Sequence, residues 1–126
     1  MKISRIMITP VTTTAPDATV RHVANQLVCH HFSGMPVTDS EEKVIGVVTE
    51  ADIIRVLLDG EDLSKITADD VMSRQPITLE AEADISEAME LLTDHRIVRV
   101  PVTHKGKLVG IVSRSDVIRG VLHIGM

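Results

Sequence analysis

One stretch of this chain occurs twice. Lys43-Val44-Ile45-Gly46-Val47-Val48-Thr49-Glu50-Ala51-Asp52-Ile53-Ile54-Arg55 returns in register as Lys107-Leu108-Val109-Gly110-Ile111-Val112-Ser113-Arg114-Ser115-Asp116-Val117-Ile118-Arg119, 64 positions on. Upstream, Met35-Pro36-Val37-Thr38 returns as Val100-Pro101-Val102-Thr103, and Thr13, Ala18, Leu27 and His30 return as Thr78, Ala83, Leu92 and His95, all 65 positions on. The difference of one places a lost residue in the second copy's hairpin. So long a period marks a duplicated supersecondary unit, and any site built on a repeated motif is expected twice, related by a pseudo-twofold axis.

A unit of about 60 residues buries too small a fraction of its surface to be comfortably stable alone, so the two copies are expected to share one core. Net charge −5 argues against a nucleic-acid backbone as partner, and with Phe32 the only aromatic there is no stacking platform for single strands. Cys29 is the only cysteine, which excludes an internal disulfide and a multi-thiolate metal site. No apolar run has the length of a signal or a membrane span, and a cytoplasmic protein is expected.

Within each copy the hydrophobic period changes in the same order. Val11–Thr14 is a short β-branched run closed by Ala15-Pro16-Asp17, with Ile77-Thr78-Leu79 as its counterpart. A helical pattern follows: Val20, Val23, Ala24, Leu27 and Val28, and again Ile85, Ala88, Met89 and Leu92, fall at three- and four-residue steps. Thr19 and Asp84 stand where N-caps belong, and Glu87 completes a capping-box spacing with Asp84. Met35–Thr38 and Val100–Thr103 read as strands, joined by polar turns to Val44–Thr49 and Leu108–Ser113. A second helix follows each hairpin, over about 50–58 and 114–122. The expected fold class is α+β, a tandem of two β-α-β-β-α units over residues 1–62 and 63–126, packed through their sheets about the pseudo-twofold. Between them, Asp59 to Lys65 reads as an acidic solvated linker, and Thr67 to Met72 starts a short helical turn.

A Gly-aliphatic-aliphatic-Thr/Ser-x-x-Asp string after a small-residue-Pro-Val strand, present twice, resembles the cystathionine-beta-synthase (CBS) domain pair, or Bateman module. Met7-Ile8-Thr9-Pro10 and Met72-Ser73-Arg74-Gln75-Pro76 resemble the family's Met-x-x-Pro lead-ins, and the likeness covers nearly the whole chain. The resemblance implies a regulatory sensor rather than an enzyme. Its implied ligand is AMP, ADP, ATP, S-adenosylmethionine or a related adenosyl molecule, held in clefts between the repeats, with no cofactor. It also implies a homodimer, and action on a separate protein that the sequence does not identify. The alternative is an interaction module with degenerate, non-binding clefts.

On that resemblance, one cleft takes Thr12, Thr13, Gly34, Met35, Pro36, Thr49 and Asp52, and the other takes Ile77, Thr78, Arg99, Val100, Pro101, Ser113, Arg114 and Asp116. Asp52 and Asp116 lie in the first turns of their helices, where a carboxylate can accept from a ribose diol while the hydroxyl and free N–H groups face a phosphate. The same pairs also have capping-box spacing, and the two roles are compatible. The strand residues would flank the purine by backbone edge and aliphatic area. Val37, Val102, Val47 and Ile111 are expected to fill the interior. Arg114 in the second copy stands at the position of Glu50 in the first, which predicts unequal sites, the second the tighter for phosphate.

Cys29-His30-His31 cannot converge on one ion, because consecutive helical side chains point about 100° apart. His30 and His95 suit helix C-termini. No nucleophile–base pair or phosphate loop is visible. The homodimer is expected to pack through the faces Val23/Leu27 and Ile85/Met89/Leu92.

Overall fold

The structure, a computed structural model, describes residues 1–94 and 96–124; the expected role of His95 lies outside them. The chain forms two compact units, Thr12–Pro76 (the first) and Met1–Val11 with Ile77–Met126 (the second). Each is built on one three-stranded sheet.

The first unit runs α1 (Val20–His30), β1 (Gly34–Thr38), β2 (Val44–Thr49), α2 (Glu50–Leu58), α3 (Ala68–Val71) and β3 (Ser73–Arg74). β1 pairs antiparallel with β2, and β2 with β3. The second unit holds β4 (Leu79–Glu80), α4 (Ile85–Leu92), β5 (Arg99–His104), β6 (Lys107–Ser113) and α5 (Arg114–Ile124). Here β4 runs parallel to β5, which pairs antiparallel with β6. The two hairpins differ by the lost residue: β5 and β6 are joined by Lys105 and Gly106, both with positive φ as a two-residue turn requires, whereas the longer first turn is braced by Asp39 Oδ1 accepting from Glu41 and Lys43 N–H.

Compact packing does not follow the 62/63 division, which marks the duplication. Residues 63–76, which head the second copy, close the first unit through β3, and Met1–Val11, which head the first copy, close the second through mutual Ile8–Ile111 backbone hydrogen bonds of 2.8 and 3.1 Å. Two glycines make this possible. A Cβ built on Gly46 would lie 2.5 Å from Met72 Sδ, and one on Gly110 would lie 2.5 Å from Met7 Sδ, so each lead-in methionine occupies the space of a missing side chain. Each unit buries an apolar cluster of its own. The second gains Ile3 and Ile6 from its lead-in, and the first gains Ala68 and Met72.

Helix ends set the strand directions. Thr19 accepts from His22 N–H at the start of α1. At its end His31 takes φ 56° while Phe32 N–H reaches Leu27 O (3.0 Å) and His31 N–H reaches Val28 O (3.4 Å), a Schellman-type closure that brings the chain into β1. Asp84 caps α4 through Ser86 N–H, not through the expected box with Glu87, because the lead-in occupies that helix start: Lys2 pairs with Asp84, and Ile85 N–H donates to Met1 O. Hydrogen bonds from Ser86, then the Met1 ammonium, hold the Asp84 carboxyl down at about 2.

The faces expected to form a dimer are core instead. Val23 and Leu27 pack in the first cluster and Ile85 and Leu92 in the second, leaving Met89 exposed, because each helix turns its main apolar stripe onto its own sheet. Exposed apolar residues gather on the second helix of each repeat, at Ile54, Leu57 and Leu58 on α2 and at the equivalent Ile118, Val121 and Leu122 on α5.

Val11 to Thr14 forms no strand; only Thr14 bridges to Val37, where its counterpart Leu79 begins β4. Thr14 is 6% exposed and among the described residues its hydroxyl has no hydrogen-bond partner, whereas Leu79 at the matching position is plain core. A buried hydroxyl left unpaired costs about 1–3 kcal/mol. Thr14→Val, nearly the same shape without that oxygen, is therefore expected to raise stability by about 1 kcal/mol in chemical denaturation. A loss of stability would show that the hydroxyl is satisfied.

Candidate functional site

The repeated string runs without a loop from strand to helix: β2 ends at Thr49 and α2 starts at Glu50, and β6 ends at Ser113 where α5 starts at Arg114. Asp52 Oδ2 accepts from Thr49 N–H (2.8 Å) and from the Thr49 hydroxyl (3.1 Å), while Asp52 N–H donates to that hydroxyl (3.4 Å). Asp116 makes the same three contacts with Ser113, at 2.8, 2.9 and 3.4 Å. Both aspartates are therefore helix caps. They are also deeply buried, at 4% and 7% exposure.

A third Thr-x-x-Asp string supplies a comparison within the chain. Thr67 N–H and hydroxyl donate to Asp70 Oδ2 (2.9 and 3.0 Å) at the start of α3, yet Asp70 is exposed and follows no Gly-aliphatic strand. Those bonds hold its carboxyl below the usual range. Capping geometry is thus common to all three boxes, and burial of the aspartate at a strand-to-helix junction distinguishes two of them.

The other sequence-derived positions assemble around each junction within a single unit. Gly34 pairs with Thr49, and Thr14 N–H donates to Pro36 O, which lays Thr12 and Thr13 along the start of β1 beside Met35 and Pro36. In the second unit Arg99 pairs with Ser113, and the Leu79–Val102 register lays Ile77 and Thr78 beside Val100 and Pro101. Met35 and Val100 are 1% exposed and belong to the cores. Thr13, Ile77 and Thr78 are exposed, and Thr12, Gly34 and Arg99 are half-buried. Val37 and Val102 are core as expected, but Val47 and Ile111 are only half-buried, on the side met by the lead-ins.

Arg114 does not stand open toward the junction. Its Nε donates to Leu92 O (2.8 Å) and its Nη2 to Asp94 O (2.9 Å), so the guanidinium satisfies carbonyls at the C-terminal end of α4. The phosphate asymmetry expected from Arg114 and Glu50 thereby loses its open cation. Two other arginines were passed over in the sequence. Arg55 Nη2 lies 3.1 Å from Asp52 Oδ1, and Arg119 Nη1 lies 3.1 Å from Asp116 Oδ1. Their signal was available: both close the duplicated stretch, three residues beyond each aspartate, where helical side chains meet.

Among the described residues no cluster of three or more His, Cys, Asp or Glu side chains could hold a metal ion, and no helix is long and apolar enough to cross a membrane. His30 is exposed in the last turn of α1 and stacks on Phe32.

The CBS domain profile matches residues 3–59 and 68–123, and the chain belongs to the CBS domain family. It is similar to the inosine-5'-monophosphate dehydrogenase of Methanocaldococcus jannaschii, 30% identical over 119 residues, which are 94% of this chain but span 23% of that enzyme. A CBS domain protein of Pyrobaculum aerophilum, solved in complex with AMP, superposes with TM-score 0.81 at 28% identity, over 92% of this chain and 89% of that one. A CBS domain pair solved with 5'-methylthioadenosine and S-adenosyl-L-methionine gives TM-score 0.81 at 25% identity, over 99% and 97% of the two chains.

Proposed function

We propose that this chain is a non-catalytic regulatory module that binds an adenosyl ligand at the strand-to-helix junction of each repeat and passes occupancy on to a partner protein. The observation carrying this reading is the buried aspartate of each junction. Oδ2 is engaged by the cap, and Oδ1, met by one exposed arginine, keeps lone-pair capacity for a ribose hydroxyl. The AMP and S-adenosyl-L-methionine complexes of the two similar proteins support the ligand class. In each unit the exposed threonines and the backbone at the start of β1 or β5 would border the base, and Thr49 or Ser113 with the helix start would meet the sugar and phosphate. Arg114 would border the second site while holding the end of α4 in place. The single cysteine, with no disulfide partner, fits a reducing cytoplasm.

A thermal-shift screen of AMP, ADP, ATP, S-adenosylmethionine and 5'-methylthioadenosine tests this. A true ligand at a hundredfold excess over its Kd adds about 2.7 kcal/mol to the folded state, a rise of several degrees. No rise with any of them would leave the interaction-module reading, which the apolar triplets Ile54/Leu57/Leu58 and Ile118/Val121/Leu122 support. Two equivalent patches per chain suit a second copy, since a twofold interface is self-complementary. The expected sedimentation mass at micromolar concentration is therefore that of a dimer.

A further inference from the structure

In the first unit Arg55 extends back from the second turn of α2 to the carboxylate at its start, and in the second unit Arg119 does the same from α5. The distance is 3.1 Å in both, the aspartates are buried, and both arginine side chains are more than half exposed. Among the described residues each guanidinium has its aspartate as sole hydrogen-bonded partner. A guanidinium offers five N–H donors in a rigid fork, so most of the fork stays open to solvent. The third capping box has no such arrangement: Asp70 has no arginine at that spacing, and Arg74 pairs with Asp69 instead. The clamp therefore accompanies the two buried junctions and is not a general feature of Thr-x-x-Asp boxes in this fold.

Holding an arginine by one edge against a carboxylate does two things. It fixes the charge beside the N-terminal end of the helix, whose dipole already favours an anion, and it lowers the entropy lost when a second anion binds. Arg114 cannot serve this purpose while it caps α4, and Glu50 repels phosphate. We propose that Arg55 and Arg119 are the phosphate-reading residues of their units, discriminating phosphorylated adenosyl ligands from uncharged ones. The proposal rests on the adenosyl reading above, and it gives each site a phosphate-facing cation of its own.

The test is calorimetric titration of AMP and of adenosine into the wild type and into Arg55→Gln, Arg119→Gln and the double variant, each first checked by thermal melting without ligand. Each single change is expected to weaken AMP binding by about tenfold at its own site and to leave adenosine affinity unchanged, since the contact to phosphate is the only one removed from the ligand itself. Arg55→Lys and Arg119→Lys, which keep the charge but not the fork, are expected to fall between. An unchanged AMP-to-adenosine ratio in the double variant would overturn the proposal, as would equal losses for both ligands. A wild type that bound adenosine as tightly as AMP would sink the phosphate role alone, whereas one that bound neither would sink the adenosyl function with it.

Discussion

Asp116→Ala is expected to lose about 2 kcal/mol of stability and more than tenfold in AMP affinity. The stability term follows from what the side chain holds. Removing it frees the N–H and hydroxyl of Ser113 and strips Arg119 of its partner, so the cap, worth about 1 kcal/mol, goes together with a charge-assisted bond. The exposed end of the Arg119 pair adds little, because solvent screens it. The affinity term follows if Oδ1 also accepts from a ribose hydroxyl, since a hydrogen bond to a charged group is worth about 1.5–3 kcal/mol. Asp116→Asn separates the two contributions. Its single carbonyl oxygen can keep the contacts to Ser113, but its NH2 then faces the Arg119 guanidinium, so most of the stability should return without the affinity. Asp70→Ala is the control, losing about 1 kcal/mol of local stability at an exposed box with no change in nucleotide binding. Denaturant melts with and without saturating AMP measure both quantities. A variant that lost stability but kept wild-type affinity would make Asp116 a cap and nothing more.

Gly46→Ala should destabilise by about 3 kcal/mol, near the upper end for overpacking, and Gly110→Ala by about 1 kcal/mol. Both would place a methyl group against a lead-in methionine, at 2.5 Å from Sδ and 2.8 Å from Cγ. Around Gly110 the nearest three atoms all belong to the Met7 side chain, which has three rotatable bonds and can move aside. Around Gly46 the third is the backbone oxygen of Ser73, at 2.9 Å, in the strand that pairs with Gly46 and Val47. Relief there means shifting β3, not turning a side chain. Met7→Ala should therefore rescue Gly110→Ala by a large coupling energy, and Met72→Ala should rescue Gly46→Ala only in part. Equal costs at the two glycines, with equal rescue, would show that β3 adjusts as freely as the methionine.

What could be read from the sequence was whatever depends on residues close together in the chain. The order of strands and helices, the caps at Thr19 and Asp84, and the hairpin shortened to Lys105-Gly106 all rest on short-range periodicity and turn chemistry. The junction motifs were visible for the same reason, since Thr49 with Asp52 and Ser113 with Asp116 lie within one turn and recur at a fixed period. Nothing local says where the lead-ins go. Met7 and Met72 carry the same pattern, and only packing shows that Met72 fills the gap above Gly46 while Met7 fills the one above Gly110, so that each closes the sheet of the other copy. Periodicity also found the apolar faces of α1 and α4 without their destination: Val23, Leu27, Ile85 and Leu92 cover their own sheets, and the exposed apolar surface falls to α2 and α5. Arg114 leaves its expected place for a similar reason. A long flexible cation goes to the strongest acceptor within reach, and for Arg114 those are the carbonyls of Leu92 and Asp94, 22 and 20 residues away in sequence and adjacent only once α4 has docked. Arg119, bound by helical geometry to a neighbour three residues back, keeps its place beside the buried aspartate.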